Sequence, residues 1–325
     1  MRCSAYRLPP SGSPFRLAFV GQSTFFEACS LGDELAPAFV TTFVEYRAGA
    51  DPRAMLAAVG VHRPHAVVVF RPELVPPGLF EHLDALTIGF LTEPIPRVRR
   101  GTHPDLKRRL EDLRAIDPSN FDRLVSFDPL IAETAAEVAP VWRSLPLPVS
   151  DRYFAALRPL RPQLAPLFVG RSTPHREAYL TPLKHRFDLL HVAHGAGATM
   201  LERLLAEHDV GVNLHNEPYL SFENRVCLHL AAGHLVLTEP LSPTHGLEPG
   251  IDYLEVVSPE HLTNVVTAVR GTPEAFEDVR LRGRMKAELY RASAVYPRLL
   301  HDAALDVDAF GSRKDSVYAA PATSS

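Results

Sequence analysis

Four stretches of the chain combine residue types and spacings that suit chemistry on a small anion or a sugar. The first is Gly170-Arg171-Ser172-Thr173-Pro174-His175-Arg176, which leads from an apolar run into a helical one. The start of a helix offers free N–H groups and a positive dipole end, which suit phosphate, and Arg171 and Arg176 add possible bidentate contacts. Gly170, Arg171, Ser172, His175 and Arg176 are therefore candidate phosphate ligands. An ordinary strand-to-helix turn with surface arginines would use the same letters. The second stretch runs from His215-Asn216-Glu217-Pro218 through Ser221-Phe222 to Glu223-Asn224-Arg225. Ser221 as a helix cap would explain one or two of these residues. It does not explain a consecutive Glu-Asn-Arg placed directly before the apolar Val226-Cys227-Leu228. His215, Asn216, Ser221, Glu223, Asn224 and Arg225 are candidates here.

Gly21-Gln22-Ser23-Thr24 forms the third stretch and Pro240–Gly250 the fourth, with His245, Gly246 and Glu248 in a turn-rich loop. No G-x-G-x-x-G accompanies Gly21, so a dinucleotide fingerprint is not supported. Gly21, Gln22 and Ser23 are expected to line a ligand cleft. The pairs His62/His65 and His191/His194 have H-x-x-H spacing but no nearby third ligand, and no metal is expected. No Walker loop and no G-x-S-x-G elbow occur. Cys3, Cys29 and Cys227 are too few and too scattered for a disulfide framework.

These stretches need elements to position them. The chain has 325 residues, enough for about two domains, and is 46% hydrophobic, which excludes a disordered polymer. Its net charge of −4 does not suit a nucleic-acid partner. Met1–Pro14 lacks the apolar core of a signal peptide, and the longest apolar runs fall far short of the roughly 20 residues that span a bilayer, so a cytoplasmic setting is expected.

Strands are expected at Phe15–Val20, Ala38–Tyr46, His65–Phe70, Leu86–Leu91 and Arg123–Phe127. Helices are expected between them at Pro52–Val61, Pro77–Leu83, Arg97–Arg114 and Pro129–Val138. Asp51-Pro52 reads as an N-cap followed by proline at the first helical position. HAVVVF at His65–Phe70 is apolar throughout, as a strand buried on both faces would be. A proline-rich passage follows. A second alternation then runs through strands Leu167–Val169, Leu189–Val192, Val210–Leu214, His234–Thr238 and Tyr253–Val257, with a helical region from Pro273 to Tyr296. Alternation at this spacing predicts parallel sheets. The expected division is a flexible N-terminus 1–14, a Rossmann-like domain 15–150, a linker 151–165, a second Rossmann-like domain 166–310 and a disordered tail 311–325. Doubly wound sheets bind ligands beyond the carboxyl ends of their strands, which is where the four stretches fall.

From Val210 to Val257 the order of features becomes specific: an apolar strand, a polar loop, a helix ending in Ala231-Ala232-Gly233, a strand, a proline/glycine loop and an acidic-aromatic strand. This run resembles the donor-binding region of the CgeB-like glycosyltransferases, relatives of the group 1 enzymes. Phe168-Val169-Gly170-Arg171 and Leu147-Pro148-Val149-Ser150-Asp151 resemble the start of that domain and the approach to its linker.

The resemblance implies an α/β GT-B fold, with two tandem Rossmann-like domains facing across a cleft. It implies a nucleotide-diphosphate sugar as donor, with no further cofactor and no metal. The acceptor is left open: a glycan, a lipid-linked sugar, a natural product or a protein. Arg171, Arg176 and Arg225 would stabilise the leaving diphosphate. A general base would come from the N-terminal domain, where Glu93 follows the strand Leu86–Leu91. Many group 1 enzymes carry a glutamate pair that alignment on Ala231-Ala232-Gly233 places at Leu220 and Leu228, so this chain departs from them there. Two alternatives stand beside the transferase: a non-catalytic nucleotide-sugar-binding partner and a sugar-nucleotide epimerase of the same fold.

Overall fold

The computed structural model describes residues 9–97, 105–138, 140–161, 164–193 and 196–312. The start of the expected flexible N-terminus, most of the expected tail, and His194 of the second histidine pair lie outside the described residues. Two compact units result. One comprises the chain up to Leu145 together with the residues from Ser293 on; the other is Pro146–Ala292.

The first unit holds a parallel sheet of β1 (Phe15–Gly21), β2 (Phe39–Glu45), β3 (Ala66–Phe70), β4 (Leu86–Leu91), β5 (Arg123–Ser126) and β6 (Arg143–Ser144), in the order β2-β1-β3-β4-β5-β6. Every residue of β3 and β4 is buried, as in strands covered on both faces, and the one polar side chain among them, Thr87 in β4, donates to Asp122 at 3.0 Å. Helix α1 (Pro52–His62) starts as expected: the Asp51 side chain accepts from the Arg53 N–H at 2.9 Å, with Pro52 at the first position. Helix α2 spans Leu106–Arg114.

Two expected helices are corrected. Pro77–Leu83 is a series of turns, because side chains from the 117–120 segment take up its backbone groups. Asp117 accepts from the Gly78 N–H at 2.8 Å, and Asn120 accepts from the Phe80 N–H at 2.9 Å while donating to the Pro76 carbonyl. Pro129–Val138 contracts to a 3-10 turn at Pro129–Ile131 and one α-turn at Ala132–Ala135.

The second unit holds β7 (Pro166–Val169), β8 (Leu190–Val192), β9 (Val210–Asn213), β10 (Leu235–Thr238) and β11 (Leu254–Glu255), again parallel, in the order β11-β10-β9-β7-β8. Its helices are α3 (Pro174–Arg186), α4 (Ala198–Glu207), α5 (Asn224–Ala231), α6 (Pro259–Gly271) and α7 (Glu277–Ala287). Gly233 follows α5 at φ +76°, the left-handed position that ends many helices. The expected helical region Pro273–Tyr296 is interrupted. Its last part is α8 (Ala292–Phe310), most of which belongs to the first unit.

The observed division therefore differs from the expected boundaries at 150 and 166 and from the run 166–310. Apolar packing decides it. Tyr296 is fully buried, its ring edge-on to Phe19 at 4.9 Å, and its hydroxyl donates to the Cys29 carbonyl at 2.5 Å. Asp306 and Asp302 pair with Arg123 and Arg143 at 2.5 Å. The two sheets make the fold an α/β pair of tandem Rossmann-like units, as the sequence implied.

Candidate functional site

In the second sheet the chain leaves β7 for β8 on one side and returns to β9 on the other. The carboxyl ends of β7 and β9 thus flank the topological switch point, where open α/β sheets bind ligands. Gly170 and Arg171 follow β7, and His215 and Asn216 come just after β9. The first two candidate stretches converge here.

Thr173 caps α3 by accepting from the Arg176 N–H at 3.2 Å, and its hydroxyl donates to the Asn216 carbonyl at 2.8 Å. That places Arg176 in the first turn of α3, under the β9 loop. Its side chain is 3% exposed. Nε donates to the carbonyls of Leu214 and His215, both at 3.1 Å, and Nη2 donates to Glu223 Oε1 at 3.2 Å. Burial beside Arg171 pulls its pKa down to about 10, which leaves it charged at neutral pH. Arg225, in the first turn of α5, donates to the Val169 carbonyl at 2.9 Å and pairs with Glu223. Burial, then the charge of Arg176, pushes the Arg225 pKa down.

Both guanidiniums lie over the Phe168 ring, 5.4 Å and 5.2 Å from its centre. A Cβ at Gly170 would stand 2.5 Å from Arg225 Nη1, so glycine is what lets this arginine reach the end of β7. Arg171 is exposed. Its Nε donates to Asn216 Oδ1 at 2.8 Å. Ser172 donates to Glu177.

A second polar knot adjoins the first. Buried Glu239, directly after β10, accepts from the His215 N–H at 2.7 Å and contacts His175 Nε2 at 2.9 Å. Burial, and then the same carboxylate, push the Tyr179 hydroxyl up to about 12. His215 Nε2 donates to the Pro240 carbonyl at 2.9 Å, so Nδ1 carries the lone pair that the Ser221 hydroxyl meets at 3.1 Å. Burial lowers the His215 pKa and keeps the ring neutral. Ser221 thus staples the loop and does not cap α5. The residue before α5 is Glu223, whose side chain makes no capping bond. Asn224 opens α5. His245 packs edge-on against Phe222 at 4.6 Å, and the Tyr290 hydroxyl donates to its carbonyl, while Lys286 holds the Gly246 carbonyl at 2.7 Å. The fourth stretch therefore buttresses the loop that carries Glu223.

The remaining candidates lie in the first unit. Gly21, Gln22 and Ser23 stand at the carboxyl end of β1, where the Ser23 N–H donates to Glu45 at 2.7 Å. Glu93 follows β4 and pairs with Arg109, with Arg71 3.7 Å away. That is a counter-ion's geometry; the general-base role expected of Glu93 gains no support from it.

Sequence reasoning missed the part played by Phe168, Thr173 and Glu239. Thr173 directly before Pro174 was a readable cap signal. The chain also holds one Asp-x-Asp spacing, Asp306-Val307-Asp308, but it lies in α8, where Asp306 pairs with Arg123. Among the described residues no group of three His, Cys, Asp or Glu side chains is placed to hold a metal ion. No described helix is long and apolar enough to cross a membrane.

The two parallel sheets and their strand orders define the GT-B class of fold, and known structures agree. Anabaena HepE in complex with UDP-glucose is 8% identical, with 89% of this chain and 99% of that chain covered at a TM-score of 0.53. Sucrose-phosphate synthase from Thermosynechococcus elongatus is 12% identical, with coverage of 89% and 98% and a TM-score of 0.54. A UDP-N-acetylglucosamine 2-epimerase, so described, from Listeria monocytogenes is 11% identical, with coverage of 93% and 98% and a TM-score of 0.51. No family model matches the chain. No curated protein matches it.

Proposed function

We propose that the chain is a glycosyltransferase that moves a sugar from a nucleotide-diphosphate donor to an acceptor. The observation that carries this is the cluster of Arg171, Arg176 and Arg225 at the switch point of the second sheet, where Arg176 and Arg225 share the carboxylate of Glu223 and Arg171 is held by Asn216. As the glycosidic bond to the donor breaks, negative charge grows on the diphosphate. Preorganised guanidiniums in a poorly solvated site stabilise it without reorganising. Arg171 is the exposed member of the three, the one that a ligand meets first. No metal is assigned, and the acceptor's class stays open.

HepE holding UDP-glucose on the same fold favours a nucleotide sugar over other phosphates. The epimerase-like neighbour supports a second reading, in which the sugar is inverted at one carbon and no acceptor is used. Leu220 and Leu228, where group 1 enzymes carry glutamates, support a third, a binder without turnover. Titration calorimetry with UDP-, GDP- and TDP-sugars, run beside assays of nucleotide release and of sugar epimerisation, separates the three. The transferase predicts nucleotide release that depends on acceptor. Epimerised sugar nucleotide without release, or tight binding without any conversion, would replace it with the second or third reading.

A further inference from the structure

The carboxylate of Glu223 occupies an unusual place. It accepts from Arg176 Nη2 at 3.2 Å and pairs with Arg225, joining two guanidiniums whose side chains are 3% and 13% exposed. Two like charges buried side by side over Phe168 are costly without a counter-charge. Glu223 supplies it. At 20% exposure, Glu223 is also the least buried of the three side chains, so it is the one free to leave.

We propose that Glu223 is a built-in occupant of the anion site, holding the place that a phosphate of the diphosphate takes, and that binding exchanges one for the other. This rests on the diphosphate reading above. A phosphate brings more charge and more acceptor oxygens than a carboxylate, and it satisfies two forked donors better. The released carboxylate has a destination. Glu223 directly precedes α5 but makes no capping bond, and the positive end of that helix, one residue away, suits an acidic side chain. The exchange sets a threshold: ligands that bring no more charge than Glu223 already supplies are poorly bound, so diphosphates are selected over monoanions.

The test uses inorganic pyrophosphate, which has neither base nor sugar, with the full chain as wild type, Glu223→Gln and Glu223→Ala. Removing the internal competitor should tighten the pyrophosphate Kd by about tenfold in both variants. Their melting temperatures should fall without ligand and rise more than the wild type's when pyrophosphate is added. Unchanged or weaker binding by folded variants overturns the proposal. If the variants do not fold, the wild type decides. The Glu223 side-chain carboxyl ¹³C resonance, assigned through its own backbone, should move on adding pyrophosphate, and a resonance that stays in place overturns the exchange. Wild-type binding of UDP or UDP-sugar without exchange sinks this proposal alone. No binding of pyrophosphate, UDP or UDP-sugar sinks the diphosphate reading with it.

Discussion

Arg225 reaches from the first turn of α5 to the end of β7, where its Nη1 donates to the Val169 carbonyl at 2.9 Å. That bond and its pair with Glu223 tie the side chain into the fold. Arg225 is therefore part of the scaffold that shapes the site as well as part of its charge.

The first prediction follows from that contact. Arg225→Ala removes charge-assisted bonds worth about 2–3 kcal/mol. The melting temperature should drop by roughly 4–12 °C for a protein of this size. Calorimetry on the variant checks this. An unchanged melting temperature would return Arg225 to the role of a simple ligand contact.

Acid should weaken the second unit through His229 and His234, which are 1% exposed. His234 Nε2 donates to the Leu205 carbonyl at 2.7 Å, so its Nδ1 accepts from His229 Nδ1 at 3.0 Å, and His229 Nε2 is left as a buried lone pair without a partner. Burial depresses both pKa values, that of His234 to about 4. Between that value and the unfolded pKa of about 6.5 the unfolded chain binds more protons, so stability falls as pH falls across this window. The loss from His234 should approach about 3 kcal/mol by its lower edge. Urea midpoints measured from pH 7 to pH 4 test this. A His234→Gln variant should show a shallower slope, and an equal slope would remove the pair as its cause.

Tyr296 should anchor α8 to the first unit. Tyr296→Phe loses a buried hydroxyl bond and should cost about 1–2 kcal/mol. Tyr296→Ala should cost about 3–5 kcal/mol through the cavity beside Phe19. Denaturant midpoints of the two variants give the comparison, and near-equal values would show that the ring contributes little.

Much of this was readable from letters. The unbroken apolar run Ala66–Phe70 and the mainly apolar Leu86–Leu91 became fully buried parallel strands, and Asp51-Pro52 and Ala231-Ala232-Gly233 marked helix ends where they lie. These features are local, and neighbouring residues decide them. What escaped is set by distant partners. Arg176 and Glu223 are 47 residues apart, and no spacing rule pairs them. Asp117 and Asn120 unmade the helix expected at Pro77–Leu83 by bonding its backbone from about 40 residues on. The strand-end position of the site was legible because topology fixes it. Which arginine faces solvent and which is buried was not.

Arg171 carries the converse prediction. Its side chain is exposed and donates through Nε to the Asn216 amide oxygen. Arg171→Ala should leave the melting temperature nearly unchanged and weaken UDP binding about tenfold, the share of one charge-assisted contact. A large melting-temperature loss with intact affinity would exchange the roles assigned to Arg171 and Arg225.

The central claim is that the switch point of the second sheet binds a nucleoside diphosphate. Amide hydrogen exchange of the full chain, with and without saturating UDP or GDP, tests it most directly. The account predicts protection concentrated in residues 170–176 and 214–225. Binding that protects neither segment, or no binding of either nucleotide, would contradict it.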